Sequence, residues 1–368
     1  MSRAAVWLII SVALLFSTGL LMVFNTTAAE IIDRSLPVST HSALFKQIAY
    51  GLVGLCGGLL VYRWGYENLI RYSFPLLMGA TFLLILVFIP GIGMKINGAR
   101  RWLGFFGFPI GQPSESVKVL LPAAYIGWFL KQSLPIELAR FLKILGWLSI
   151  PVALILFEPD NGTTFIIFLL FVILFLLSRI RPMYWALPLF ALSLLGAAAA
   201  YQMPHVHNRL QVYLHPELDL RGKGHQPHQA KIAAGSGQLF GRGIGESLQK
   251  LNYLPEARSD YIAAIYAEET GFIGILALIS LYIILTSAGF VIAIRSQERS
   301  PFLLAATLTF LISIQAFLNL GVVSGLLPSK GMTLPYFSQG GSSLMVNIVV
   351  LFILLDISRK QVCALSKY

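Results

Sequence analysis

The sequence predicts an all-α polytopic membrane protein with about ten transmembrane helices, and three observations carry that prediction. Hydrophobic residues make up 57% of the 368 and charged residues only 12%, about half the charged share of a soluble domain. Mean hydropathy is +0.76. Apolar runs of about 18 or more residues recur along the chain, the length that crosses a hydrocarbon core of about 30 Å.

The runs fall at residues 4–24, 44–62, 74–90, 113–130, 141–157, 163–177, 183–201, 269–294, 302–322 and 341–357. At 1.5 Å per residue most reach about 25–35 Å. The first has the flanks of a signal peptide, with Arg3 before it and small residues Thr27 to Ala29 after it. It is longer than a typical signal core, so an uncleaved span is expected.

Ten spans put both termini on one side, and the basic residues choose that side. With the N-terminus inside, the cytoplasmic segments hold 13 Lys and Arg, while the short outer loops hold five: Arg34, Lys95, Arg100, Arg101 and Lys330. Both termini are therefore expected in the cytoplasm. Residues 202–268 carry seven more basic residues, but so long a loop does not follow the rule. Twelve of the 16 acids lie outside or at outer span ends. That distribution fits either an outward-facing acidic site or a solvated outer surface.

The net charge is +11. It is spread over short loops rather than gathered in a patch, which argues against nucleic acid. Two cysteines, Cys56 in a span and Cys363 in the tail, exclude a disulfide framework. Neither a tandem repeat nor a low-complexity tract stands out. Residues 1–368 read as a single transmembrane domain, with 202–268 as one large extracytoplasmic loop between spans seven and eight. In that loop Val206, Leu210 and Tyr213 recur at helical spacing, which suits an interfacial helix. The run GSGQLFGRGIG (235–245) matches neither a dinucleotide fingerprint nor a P-loop. No nucleotide is expected, and the glycines suit flexible backbone near a ligand or the membrane surface. Histidines 205, 207, 215, 225 and 228 show no zinc spacing.

Four segments can carry chemistry. In QPSESVK (112–118) Pro113 suits a first helical turn, and Glu115 and Lys118 share a face three residues apart. They form either a functional charge pair or a structural ion pair near the interface. In EPDNGT (158–163) Asp160 can cap the sixth span, a role that alone accounts for it. On a helix over 256–268, Asp260 projects from a face made small by Ala263, Ala264 and Ala267, with Tyr261, Ile262, Ile265 and Tyr266 opposite. Such a face admits a ligand hydroxyl to a general base, or packs on a neighbouring helix. Around GLLPSKG (325–331) and SQGGSS (338–343), glycines before a helix, with Lys330 nearby, suit a diphosphate. A tight loop, with Ser342 and Ser343 as caps, fits equally.

Taken in order, NGARRWL (97–103), QPSESVK (112–118), PDNGT (159–163), YLPEARSDYIAA (253–264), EETGF (268–272) and GLLPSKGMTLPYFSQGGSS (325–343) resemble the SEDS family of bacterial membrane glycosyltransferases. The likeness covers residues 97 to 345, with the ten spans around it. QKLNYLPE (249–256) and GLLPSKGMTLP (325–335) look more like the cell-division (FtsW) branch than the elongation (RodA) branch.

The resemblance implies polymerisation of lipid II into peptidoglycan strands at the outer face of the bacterial cytoplasmic membrane, at the division septum. It implies a class B penicillin-binding transpeptidase as partner, among other division proteins. By position, Asp260 matches the family's loop aspartate, the proposed catalytic base. Glu115, Lys118 and Asp160 match its charged positions, and with Lys330, Ser342 and Ser343 they are expected to contact substrate. The leaving diphosphate needs charge balance from a divalent cation, Mg or Mn, or from Lys330, Lys118 and helix N-termini. Four places depart from the family pattern: Glu158 stands for a usual Gln, Asn161 for Leu or Phe, Ala257-Arg258-Ser259 for a His-Thr context, and Gln339 for a common Tyr. Glu158 is expected to raise the pKa of Asp160 by like charge.

Overall fold

The computed structural model describes residues 2–33, 39–96, 99–105, 108–188, 190, 194, 225–250, 258–328 and 331–365. In chain order the elements are α1 (Arg3–Asp33), α2 (Ser42–Trp64), α3 (Tyr66–Arg71), α4 (Ser73–Val87), β1 (Gly93–Ile96), β2 (Ala99–Phe105), β3 (Phe108–Gly111), α5 (Pro113–Phe129), α6 (Leu138–Phe157), α7 (Asn161–Leu177), α8 (His225–Ser236), α9 (Ile262–Ile294), α10 (Arg299–Val323) and α11 (Gly341–Leu365). Helices α1, α2, α6, α9, α10 and α11 are long and apolar enough to cross a membrane, while α4 and α7 are apolar but shorter. Helix α5 is 17 residues long and begins at Pro113, the first-turn position the sequence suggests. Of the expected seventh span, 183–201, the described residues, 183–188, 190 and 194, are helical. Val206, Leu210 and Tyr213 lie outside the described residues, as do His205, His207, His215 and Lys330.

Packing sorts the helices into inner and outer ones. Thirteen of the 17 residues of α5 are buried, the paired Glu115 and Lys118 among them, which makes it an inner helix. It packs on α4, α7 and α10, and α10 in turn joins α7 to α9. Outward, α1, α2, α4 and α6 expose Leu21, Leu60, Phe82 and Leu156. Lipid solvates such faces, and the helical backbone satisfies its own polar groups. The closest outer pairs are α2 on α11 and α1 on α9. A Cβ on Gly54 would stand 3.1 Å from the Met345 Cα, so the glycine lets α2 and α11 approach. Helix α1 runs to Asp33 rather than stopping at 24, because no Gly or Pro interrupts the chain between Gly19 and Pro37.

Two expectations need correction. The chain is not purely α: β1, β2 and β3 form an antiparallel three-stranded sheet between α4 and α5, pairing Ile96 with Ala99 and Leu103 with Gly111. The sequence between the paired Ile96 and Ala99 is Asn-Gly, the pair two-residue hairpins favour. Counting apolar runs does not register strands this short. Asp260, moreover, is not on a helix. Helix α9 begins at Ile262 with Tyr261 as its N-cap, and 258–260 form a turn before it. Ala263, Ala264 and Ala267 are buried, but so are Tyr261, Ile262 and Ile265. Both faces of this first turn are packed, and the small face opens no path to Asp260.

Candidate active site at one end of the bundle

The motif-bearing segments meet where α5, α7, α9 and α11 begin. Asp160 caps α7, accepting from the Thr163 backbone N–H at 3.1 Å, and its Oδ2 also accepts from the Thr163 hydroxyl at 3.0 Å. That is the capping role its sequence suggests. Two further groups converge on the same carboxylate. Gln112, just before α5, donates its amide to Oδ2 at 2.9 Å. Arg101 of β2 lies 3.8 Å from Oδ1, and donates to the carbonyls of Glu158 at 3.2 Å and Pro159 at 2.5 Å. The sheet thus carries Arg101 onto the α6–α7 link. Sequence reading left Arg101 and Gln112 out of the site, although both lie in its quoted motifs.

Gln112 also ties this cluster to α11. Its backbone N–H donates to the Ser342 hydroxyl at 2.9 Å. The neighbouring Ser343 accepts from Thr333 at 3.1 Å and from the Asn347 amide at 3.4 Å. The two serines therefore tie separate segments to α11 as well as starting it. One turn into α5, Lys118 and Glu115 pair at 2.7 Å, both nearly buried. Burial makes this mutual neutralisation obligatory rather than optional.

Asp260 is half-buried in its turn at the positive, N-terminal end of α9. A Cβ on Gly331 would lie 3.3 Å from its Oδ2, so the carboxylate faces the backbone that follows Lys330. Asn319 of α10 fixes this meeting, donating to the carbonyls of Asp260 at 2.9 Å and Met332 at 2.6 Å. Gln339 donates its backbone N–H to the Arg258 carbonyl at 3.0 Å, and the Arg258 side chain pairs with Glu30 of α1 at 3.2 Å. Asn319 was missed in the sequence. Its signal is an amide in the last turns of an apolar span, with Gln315 one turn before it.

Glu158 is buried at 1% exposure, and among the described residues neither of its oxygens has a hydrogen-bond partner. Burial, then the charge of Asp160, pushes its pKa up to about 8 against the pull of Arg101. Burial and the neighbouring carboxylate therefore favour the protonated form of Glu158.

The glycines of 235–245 have a structural task. Helix α9 breaks at Gly271 (φ 69°, ψ −164°), and the glycine loop fills the break. Phe272 and Ile273 donate to the carbonyls of Gln238 and Leu239, while Arg242 and Gly243 donate to those of Glu268 and Glu269. Gly241 has φ +81°, and a Cβ there would overlap the Glu269 carbonyl. The loop is backbone hydrogen-bonded into α9, where flexible backbone near a ligand or the membrane surface is the expectation from sequence. Below it Lys250 pairs with Glu269 at 2.9 Å, both buried, and Asn25 of α1 donates to the same carboxylate. Glu268 accepts from Ser247 at 2.5 Å and from the N–H groups of Leu248 and Gln249.

Among the described residues no three His, Cys, Asp or Glu side chains converge. The oxygens of Asp160 are taken by Thr163, Gln112 and Arg101, so its donor set does not fit a divalent cation.

The sequence model of the FtsW, RodA and SpoVE cell cycle proteins matches residues 5–362. The chain belongs to this family. The FtsW/RodA/SpoVE chain is 36% identical to the probable peptidoglycan glycosyltransferase FtsW of Legionella pneumophila, covering 96% of this chain and 91% of that one. It is equally similar, at 36%, to the protein so named in Trichlorobacter lovleyi, over 95% and 92% of the two chains. Among solved structures it superposes with TM-score 0.76 on a chain of a peptidoglycan synthase complex that coordinates polymerization and crosslinking, at 26% identity over 96% and 97% of the chains. The rod shape determining protein RodA of Thermus thermophilus shares the fold, with TM-score 0.68, 24% identity and 96% coverage of each chain.

Proposed function

We propose that this chain is a peptidoglycan glycosyltransferase that polymerises lipid II during cell division. One observation supports the reading above the others. The Asp260 turn, the Gly331–Thr333 segment and the start of α11 are bonded into one site, which Gln112 links to Asp160. The division role follows the relatives named FtsW at 36% identity. The chain acts as one transmembrane domain of ten spans with cytoplasmic termini, and the site opens on the outer face. A class B penicillin-binding transpeptidase cross-links its product at the septum.

Asp260 takes the proton of the acceptor sugar's 4-hydroxyl, whose oxygen attacks the donor's anomeric carbon. The bond to undecaprenyl diphosphate breaks on the opposite face, and the configuration inverts, as in inverting glycosidases. Asn319 holds the Asp260 backbone against the 331–333 segment, so the base is oriented before substrate arrives. Lys330, beside that segment in sequence, supplies positive charge to the leaving diphosphate. Ser342, Ser343 and Asp160 hold the walls of the site. The alternative, a lipid II flippase or transporter with the Glu115–Lys118 pair lining its path, has little support, because the pair fixes the start of α5 and each charge is already neutralised by the other.

The test is glycan-strand formation from purified lipid II, by the protein with its cognate transpeptidase, in Mg, Mn or EDTA. Strands in any cation condition support the reading, and the EDTA arm reports whether a cation takes part. No strands from a folded complex would overturn it.

A further inference from the structure

A cavity of about 580 Å³ lies between the far ends of α5, α7 and α10. Both α5 and α7 begin beside the Gln112–Asp160 bond and run 17 residues. At about 1.5 Å per residue the cavity lies roughly 25 Å from that bond, close to a bilayer core away. Its floor is apolar, with Phe129, Ile136 and Leu303 all buried. Its rim carries exposed Arg179, Arg181 and Arg299. Arg181 stands 5.9 Å from the ring centre of Tyr184, another lining residue. Among the described residues none of the three arginines makes an ion pair, while nearby Glu137 is engaged by Arg140 at 3.3 Å.

We infer that this cavity binds the headgroup of an acidic glycerophospholipid from the leaflet at that end, which is the cytoplasmic leaflet in the orientation proposed above. Three guanidinium groups that pair with no acid among the described residues match a phosphodiester, since the planar fork donates two parallel hydrogen bonds to its oxygens. The buried apolar floor matches the glycerol and first acyl carbons, which a free phosphate would leave unfilled. Basic pockets between membrane helices on the cytoplasmic side commonly take anionic headgroups. The volume lies within the roughly 300–1,000 Å³ of small-molecule sites. The site is separate from the Asp260 cluster and needs no step of the polymerisation reaction.

The test places the full-length protein in nanodiscs of phosphatidylcholine with or without phosphatidylglycerol. Thermal unfolding and native mass spectrometry of retained lipid are the readouts. Phosphatidylglycerol is expected to raise the wild-type Tm by several degrees and to remain bound. The double variant Arg179→Gln/Arg299→Gln should unfold like wild type in phosphatidylcholine alone, yet lose most of that rise and retain about tenfold less lipid. Leu134→Trp, at an exposed lining position, fills the cavity with the arginines intact and should produce the same loss. An equal rise in wild type and both variants would overturn the proposal. So would full protection by inorganic phosphate alone, or retention of undecaprenyl diphosphate in place of phosphatidylglycerol.

Discussion

Asn319, near the C-terminal end of α10, donates one side-chain amide to two carbonyls, that of Asp260 at 2.9 Å and that of Met332 at 2.6 Å. A single residue thus joins the turn that bears the proposed base to the segment it faces. Asn319→Ala leaves two carbonyls without their donor, at a cost of about 1–3 kcal/mol. Because it also releases the Asp260 backbone, polymerisation is expected to fall about tenfold to a hundredfold, while Tm drops by only a few degrees. Lipid II polymerisation and thermal unfolding of one preparation check the split. A Tm loss with unchanged turnover would make Asn319 purely structural.

Glu158 gives the stability a predictable pH dependence. Its pKa is about 8 in the fold against an ordinary 4.5. Between those values the folded chain keeps a proton that the unfolded chain has lost, so stability declines as pH rises through the window and levels off above it. Glu158→Gln removes the titration. Its Tm should change less than the wild-type Tm from pH 5 to 9, and should exceed it at pH 9. Parallel slopes for the two proteins would contradict this account.

Asp160 separates capping from charge. Asp160→Ala loses the cap of α7 and strands the Gln112 amide, costing about 1–2 kcal/mol. Asp160→Asn keeps an oxygen for the Thr163 N–H but gives up the attraction to the partly exposed Arg101 and puts an amide N–H where Oδ2 accepted from Gln112, a smaller loss than the whole cap. Thermal unfolding should therefore rank wild type, Asn, Ala, in falling order.

The Lys250–Glu269 pair locks the glycine loop against α9. Lys250→Met leaves Glu269 buried with, among the described residues, Asn25 alone to answer it, and should cost about 3–5 kcal/mol. Lys250→Met combined with Glu269→Leu should recover much of that loss. A double-mutant cycle measured by unfolding checks the coupling. Additive losses would mean that the two charges act independently.

How much of this was legible in the sequence depends on the range of the interactions involved. Apolar length foretold α2, α4, α6 and α7 to within a few residues, because the bilayer imposes a length on the sequence itself. The cap by Asp160 was legible because its partner is three residues away. The Asp260 helix was misplaced for the opposite reason. Periodicity continued the helix back to 256, while the true start at Ile262 goes with tertiary bonds from Asn319 and Gln339. Nor could spacing reveal that the glycines of 235–245 answer a break at Gly271, some 30 residues on. The ties of Arg101 to the α6–α7 link and of Gln112 to Ser342 likewise cross long sequence separations, and only the fold brings them together.

The measurement that bears most directly on the central claim compares wild type with Asp260→Asn in lipid II polymerisation. Both proteins are purified with the cognate transpeptidase and matched for folding by thermal unfolding. The substitution keeps the shape of the side chain and removes its capacity to accept the proton. The account predicts glycan strands from wild type and at least about a hundredfold less from Asp260→Asn, in line with the loss of a general base. Equal strands from both would contradict Asp260 as the base.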